Sequence, residues 1–216
     1  MTGVQTCALP IFSETLAELG RSSRPLYTCF QPEEIGPEVS NEKFAVLQKT
    51  MTKNEWDGRL TRELQFVENL RKRFPGIDVR DCSPLLQGLR KYKSPAEIDH
   101  MRRAAQIGVR AHRALIESTE PEVSERSLAA VFEFVCKEAG AQDLAYYTIL
   151  MSGKNHAYGH YHQYTRTLKQ GDFVILDAGP SLDGYSVDIS TTFPASGKFT
   201  PRQAELYRVA LAVHGV

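Results

Sequence analysis

Residues 171–193, GDFVILDAGPSLDGYSVDISTTF, restrict the fold more than any other stretch of the chain. Phe173 to Leu176 is a continuous apolar run, which reads as a strand covered on both faces. Asp183-Gly184 is a hairpin-turn dipeptide, because Gly accepts φ > 0 without steric cost. After the turn the pattern alternates. Tyr185, Val187 and Ile189 point one way; Ser186, Asp188, Ser190 and Thr192 point the other. With a two-residue loop, Leu182 pairs with Tyr185 and Gly179 with Asp188. Asp177 and Asp188 then share a face, one diagonal step apart, about 7–8 Å. A four-residue loop would set them directly opposite. Only an odd loop or a bulge would part them.

Two carboxylates this close repel each other. Either one takes up a proton or a cation sits between them. Oxygen donors suit hard or borderline divalent ions such as Mg2+, Mn2+ or Co2+. The plainer alternative has Asp177 capping a turn with Ala178-Gly179 and Asp188 solvated on an open face.

The wording of three segments goes further than their spacing. GDFVILDAG, GYSVDISTTF and GKFTPRQAELY together resemble the metal-binding hairpin of the pita-bread metallopeptidases, in particular the Xaa-Pro aminopeptidase (aminopeptidase P) and prolidase families. KSPAEI at 93–98 and the His160-Tyr161 pair fit the same pattern, so the resemblance covers about residues 77–216. It implies an α+β fold. Residues 93–216 would be the N-terminal half of a pita-bread (creatinase/aminopeptidase) catalytic domain. Residues 12–92 would be the C-terminal part of a creatinase-like N-terminal α/β domain.

The resemblance also implies chemistry. The family hydrolyses the amide bond between a first residue and a following proline, using two divalent metal ions. Mn2+ is the foremost choice, with Co2+ or Zn2+ as alternatives. Asp177 would chelate one metal and Asp188 bridge both. His160 would donate a hydrogen bond to substrate and steady the tetrahedral intermediate, a role that suits a neutral imidazole. The family's other ligands, a His and two Glu, are expected beyond residue 216. The implied partner is a peptide with proline at its second position, and the intact enzyme is expected to be a dimer or tetramer. This chain alone is expected to bind metal weakly and to be inactive. A prolidase- or creatinase-like C–N hydrolase and a pita-bread module that binds without catalysing are the alternatives. One departure stands out: Thr191 lies where the family usually has Arg, which removes a charge near the metals.

Residues 1–11 resemble an in-frame translation of a sequencing adapter and are set aside from fold reasoning. The segment also fails as a signal peptide, with no basic start and too short an apolar core. The native start is then expected upstream.

Charge excludes some partners. Lys+Arg 26 balances Asp+Glu 26, so nothing points to nucleic acid or an anionic membrane surface. No apolar run approaches the ~20 residues of a membrane span. Beyond Cys7 there are three scattered thiols, Cys29, Cys82 and Cys136, without CxxC spacing. That is neither a disulfide framework nor a zinc knuckle and fits a reducing cytoplasm.

Elsewhere the spacing predicts elements rather than chemistry. Pro25 to Val39 reads as loop. Leu60, Leu64, Val67, Leu70 and Phe74 recur at helical spacing until Pro75-Gly76. Residues 77–79 read as a short strand, and Leu85, Leu86 and Leu89 as a helix face. Trp56 is expected in core or interface packing. Ser94-Pro95-Ala96-Glu97 is a capping box opening a helix that buries Ile98, Met101, Ala105, Gly108, His112 and Leu115. His112 is expected in the core rather than on a metal. A second helix starts near Ser124 and buries Leu128, Val131 and Val135. Residues 145–152 read as a strand. His156, His160 and His162 could form a metal cluster, but the Gly and Tyr between them favour loop or rim positions for His156 and His162. Thr200 to Gln203 is another capping box, with Ala204, Tyr207, Ala210 and Leu211 on one face.

Overall fold

The computed structural model describes residues 13–22, 24–30, 46 and 49–215. The adapter-like segment and most of the expected loop at 25–39 lie outside these residues, and Leu26–Thr28, expected in that loop, form a strand instead. The chain divides into two units, Met1–Tyr92 and Lys93–Val216.

In the first unit, β1 (Leu26–Thr28) and β2 (Val79–Asp81) pair in parallel. The strand expected at 77–79 therefore starts two residues later. α1 (Arg62–Arg73) is capped by Thr61, whose hydroxyl accepts from the Leu64 N–H at 3.0 Å. Val67 and Leu70 from α1 and Val79 from β2 form the core, with Leu26, Phe66 and Phe74 against it. The helix ends at Phe74, just before Pro75-Gly76, as the spacing predicts.

α2 (Ser83–Lys91) forms where the leucine spacing places a helix, and Leu85, Leu86 and Leu89 are exposed on it. The core half of the Trp56 expectation is corrected, since the residue is 91% exposed. It sits in a turn, where its side chain has no layer to enter.

In the second unit, α3 (Pro95–Glu117) opens with the predicted capping box. The Ser94 N–H donates to Glu97 Oε2 at 2.7 Å, and the Glu97 N–H donates to Ser94 Oγ at 3.3 Å. Its buried face runs through Ala104, Gly108, Ala111, His112 and Leu115. Gly108, His112 and Leu115 are buried as expected, Met101 and Ala105 are half-buried and Ile98 is exposed, because α3 packs against both the next helix and the hairpin. Gly108 marks the close approach: a Cβ there would come within 2.8 Å of Ile189 Cδ1. α4 (Glu125–Glu138) starts at the Ser124 cap and buries Leu128, Ala129, Phe132 and Cys136. Val131 and Val135 are only half-buried, which corrects the predicted face by about one position.

Two small antiparallel sheets follow. One has β3 (Asp143–Leu144), β6 (Pro180–Leu182) and β7 (Tyr185–Ser186), in that order. The other has β4 (Ile149–Ser152), β5 (Phe173–Ala178) and β8 (Ile189–Pro194), with β5 central. The strand expected over 145–152 pairs only at 149–152. β5 is not covered on both faces in this chain. Val174, Leu176 and Ala178 are buried in the helix-backed core, whereas Phe173, Ile175 and Asp177 are half-buried. Its apolar run therefore belongs to a sheet with one face fully covered.

α5 (Pro201–His214) has the second capping box, and its Gln203 is buried, donating to the Gly171 carbonyl at 2.9 Å. Ala204 and Tyr207 are half-buried, while Ala210 and Leu211 are exposed. Among the described residues, no helix is long and apolar enough to cross a membrane.

Candidate metal centre

The hairpin closes in the register that a two-residue Asp183-Gly184 loop dictates. Leu182 pairs with Tyr185, and Ser181 with Ser186. The same register continues past the sheet boundary, where Ala178 pairs with Ile189 and Asp177 with Ser190. Asp188 thus falls opposite Gly179, diagonal to Asp177 and on its face. Gly179 is required by this approach: a Cβ on it would lie 1.8 Å from the Val187 carbonyl oxygen.

A third residue, absent from the sequence reading, completes the cluster. Tyr146 Oη lies 2.5 Å from Asp177 Oδ1 and 2.6 Å from Asp188 Oδ1. Tyr146 belongs to the segment between β3 and β4, which leaves the ladder before Ile149. β4 pairs with β5 so that Ile149 stands opposite Asp177, which brings residue 146 to the carboxylates. No local spacing signals this contact, since 31 residues separate Tyr146 from Asp177.

The electrostatics of the cluster are unbalanced. Desolvation raises the Asp177 carboxyl above the ordinary carboxylate range; the Tyr146 hydroxyl opposes this, and the charge of Asp188 adds to it. The Tyr146 hydroxyl is pushed well above its ordinary range by burial and by both carboxylates. A phenol has one proton to give, yet two carboxylates converge on it. The arrangement is satisfied when one carboxyl carries a proton or when a cation supplies the missing positive charge. Its donors are all oxygen, which fits a hard or borderline divalent ion.

The other expected residues are placed as follows. His160 is exposed, at a left-handed backbone position with φ 54°, and its carbonyl accepts from the His162 Nδ1–H at 2.9 Å. No hydrogen bond joins its ring to Asp177 or Asp188 among the described residues. His156 Nε2–H donates to the Met151 carbonyl at 3.1 Å, and His162 lies against the Tyr147 ring. The three histidines form no metal cluster. Among the described residues, no group of three or more His, Cys, Asp or Glu side chains is arranged to hold a metal ion.

His112 is in the core, 3% exposed, as expected. Its Nε2 lies 3.1 Å from the Ala178 carbonyl, which can only accept, so this nitrogen carries the proton. Its Nδ1 then accepts from the Thr191 hydroxyl at 3.0 Å. Thr191 is thus tied to the helix layer by a neutral contact.

Beneath the loop that carries His160 lies a carboxylate the sequence reading missed. Glu125, fully buried, accepts from the Ser152 N–H and hydroxyl, from Asn155 Nδ2 and from the Arg166 N–H, at 2.7–3.1 Å. It ties the start of α4 to the end of β4 and to the loop segment at Arg166 that precedes β5.

Comparison with known proteins places this geometry. The model of metallopeptidase family M24 matches residues 99–215. The Xaa-Pro aminopeptidase of Escherichia coli (strain K12) is 37% identical over 131 residues, 61% of this chain and 30% of that protein. Human Xaa-Pro aminopeptidase 3 is 38% identical over 135 residues, 62% of this chain and 27% of that protein. Among solved structures, proline aminopeptidase P II from Yersinia pestis superimposes with a TM-score of 0.69 at 28% identity, covering 94% of this chain and 42% of that one. Zn-substituted E. coli aminopeptidase P in complex with product gives 0.67 at 28% identity, covering 93% and 42%. The chain thus spans less than a third of the length of these two curated relatives. The mixed helix-and-sheet architecture is part of the pita-bread fold of these neighbours. With a family match over more than half its residues and its carboxylate hairpin in register, the chain belongs to metallopeptidase family M24.

Proposed function

We propose that this chain carries the two-aspartate part of a dinuclear metal centre. The intact protein would be a metal-dependent aminopeptidase that removes the N-terminal residue ahead of proline. The observation that carries this reading is the convergence of Asp177 and Asp188 on one hydroxyl, short of positive charge. The Xaa-Pro aminopeptidases among its relatives support the substrate class.

Asp177 and Asp188 would hold the ions, Mn2+ foremost and Co2+ or Zn2+ as alternatives. When bound, two such ions acidify a water and polarise the scissile carbonyl. The protein's own part is orientation. The β5–β8 ladder fixes both carboxylates on one face, and Tyr146 holds their near oxygens. His160 offers a ring N–H to the substrate from an exposed loop whose base is held by Glu125. Residues 93–216 would form the first half of the catalytic domain and residues 12–92 the end of the domain before it. The intact enzyme would act as a cytoplasmic homo-oligomer, and this chain alone would be inactive.

Calorimetric titration of Mn2+ into the chain, beside Asp177→Asn and Asp188→Asn variants, tests the reading. Weak binding that disappears in both variants is expected, with no proline-containing product from an Xaa-Pro peptide. Binding that survives both substitutions overturns the site. Product release by the chain alone overturns the claim of inactivity.

A further inference from the structure

We propose that Cys29 and Cys82 are an oxidisable pair that closes to an intramolecular disulfide on meeting a small disulfide oxidant such as oxidised glutathione. The two residues lie 53 apart in sequence, yet their Sγ atoms are 3.6 Å apart. The parallel pairing of β1 with β2 causes this. Thr28 stands beside Asp81, so the next step of the same register sets Cys29 beside Cys82.

Hydrogen bonds between the two segments flank the cysteines on both sides. The Cys82 N–H donates to the Thr28 carbonyl at 3.0 Å. The Phe30 N–H donates to Asp81 Oδ1 at 3.1 Å and to Ser83 Oγ at 3.2 Å. The two backbones are therefore held at the spacing of neighbouring strands, about 4.8 Å. That lies within the roughly 4.4–6.8 Å Cα separation that disulfides span. Only the sulfurs must move, by rotation about the Cα–Cβ bonds, to reach the ~2.05 Å bond length. Both residues are half-exposed, within reach of a small oxidant, whereas Cys136 is fully buried.

The chemistry balances as two exchanges. One cysteine thiolate attacks a sulfur of the oxidant, forms a mixed disulfide and releases one oxidant thiolate. The second cysteine thiolate then attacks the protein sulfur of that mixed disulfide, forms the Cys29–Cys82 bond and releases the second oxidant thiolate. The two protein thiols give up two protons and two electrons, and the oxidant's disulfide leaves as two thiols. Because Cys82 is the N-cap of α2, the bond clips the start of that helix as well as the two strand ends.

The test uses the full 216-residue chain, reduced and then exposed to oxidised glutathione, quenched in acid and mapped by peptide mass spectrometry. The expected result is loss of both thiols from alkylation and a dominant Cys29–Cys82 cross-linked peptide. In concentrated guanidinium the preference should vanish, because the strand register that creates it is gone. Cys82→Ser should halt Cys29 at the mixed disulfide. If the native chain keeps both thiols, carries glutathione separately on each, or pairs them with Cys7 or Cys136 instead, the proposal fails. The wild-type map alone decides this, whatever the folding of the variant.

Discussion

Thr191 on β8 donates its hydroxyl to Nδ1 of His112 on α3 across 3.0 Å, while the opposite ring nitrogen holds the Ala178 carbonyl. The imidazole thus joins the two strands that carry Asp177 and Asp188, from the helix side of the sheet. Burial lowers the proton affinity of this ring below that of an ordinary histidine. With the folded value depressed, the stability it contributes is fully present above the unfolded value, about 6.5. It is lost as pH falls through the lower folded value. The urea midpoint of the chain should therefore drop as the solution is acidified from neutral. His112→Gln should show a shallower drop over the same range. Equal slopes for the two proteins would sink this account. Thr191→Val, which removes one donor to a buried acceptor, should cost about 1 kcal/mol in the same experiment.

Tyr146 presents its hydroxyl to both carboxylates, and a group that orients metal ligands typically changes affinity 10–100-fold when removed. Tyr146→Phe should weaken Mn2+ binding by roughly 10-fold in calorimetry, with the far-UV circular dichroism unchanged. Unaltered or tighter binding would mean that the hydroxyl merely stands in the cation's place.

Gly179 tolerates no side chain. A Cβ there would overlap the Val187 carbonyl oxygen, which is backbone and cannot rotate away. Gly179→Ala should destabilise the second unit by about 3 kcal/mol or more, since overpacking at fixed backbone is costly. It should also abolish Mn2+ binding, because the strands must part just where Asp188 stands. Chemical denaturation and calorimetry read the two effects separately.

Glu125 satisfies donors from Ser152, Asn155 and Arg166 in a fully buried position. Glu125→Ala leaves these buried donors without their acceptor and should cost roughly 1–3 kcal/mol for each one left unpaired. Hydrogen exchange should quicken first at the Ser152 and Arg166 amides. If those two amides stay as protected as in wild type, Glu125 does not organise this loop.

Local chemistry made the hairpin legible. Asp183-Gly184 sets the turn, the turn sets the register, and a period of two sets which side chains share a face. The diagonal relation of Asp177 to Asp188 follows from those three facts, all within 23 residues. Both capping boxes and the end of α1 at Phe74 were legible for the same reason, since each depends on backbone groups a few residues away. Helix faces were less so. α3 and α4 form where expected and bury Gly108, His112, Leu115 and Leu128, but each meets two neighbours, so Ala104 and Phe132 are fully buried while Ala105 and Val131 are only half-buried. Trp56 shows the limit on core placement: an apolar residue enters the chain's own core only when some element arrives to cover it.

By itself the sequence determined the carboxylate hairpin, the start signals of its helices and the family wording that surrounds the two aspartates. The tertiary structure alone decided that Tyr146 closes over them, that Glu125 underpins the His160 loop, and that Cys29 meets Cys82. Each of those contacts joins residues 27–53 positions apart. Such contacts depend on which strand pairs with which, and that is settled by burying the whole core rather than by the preferences of any one segment.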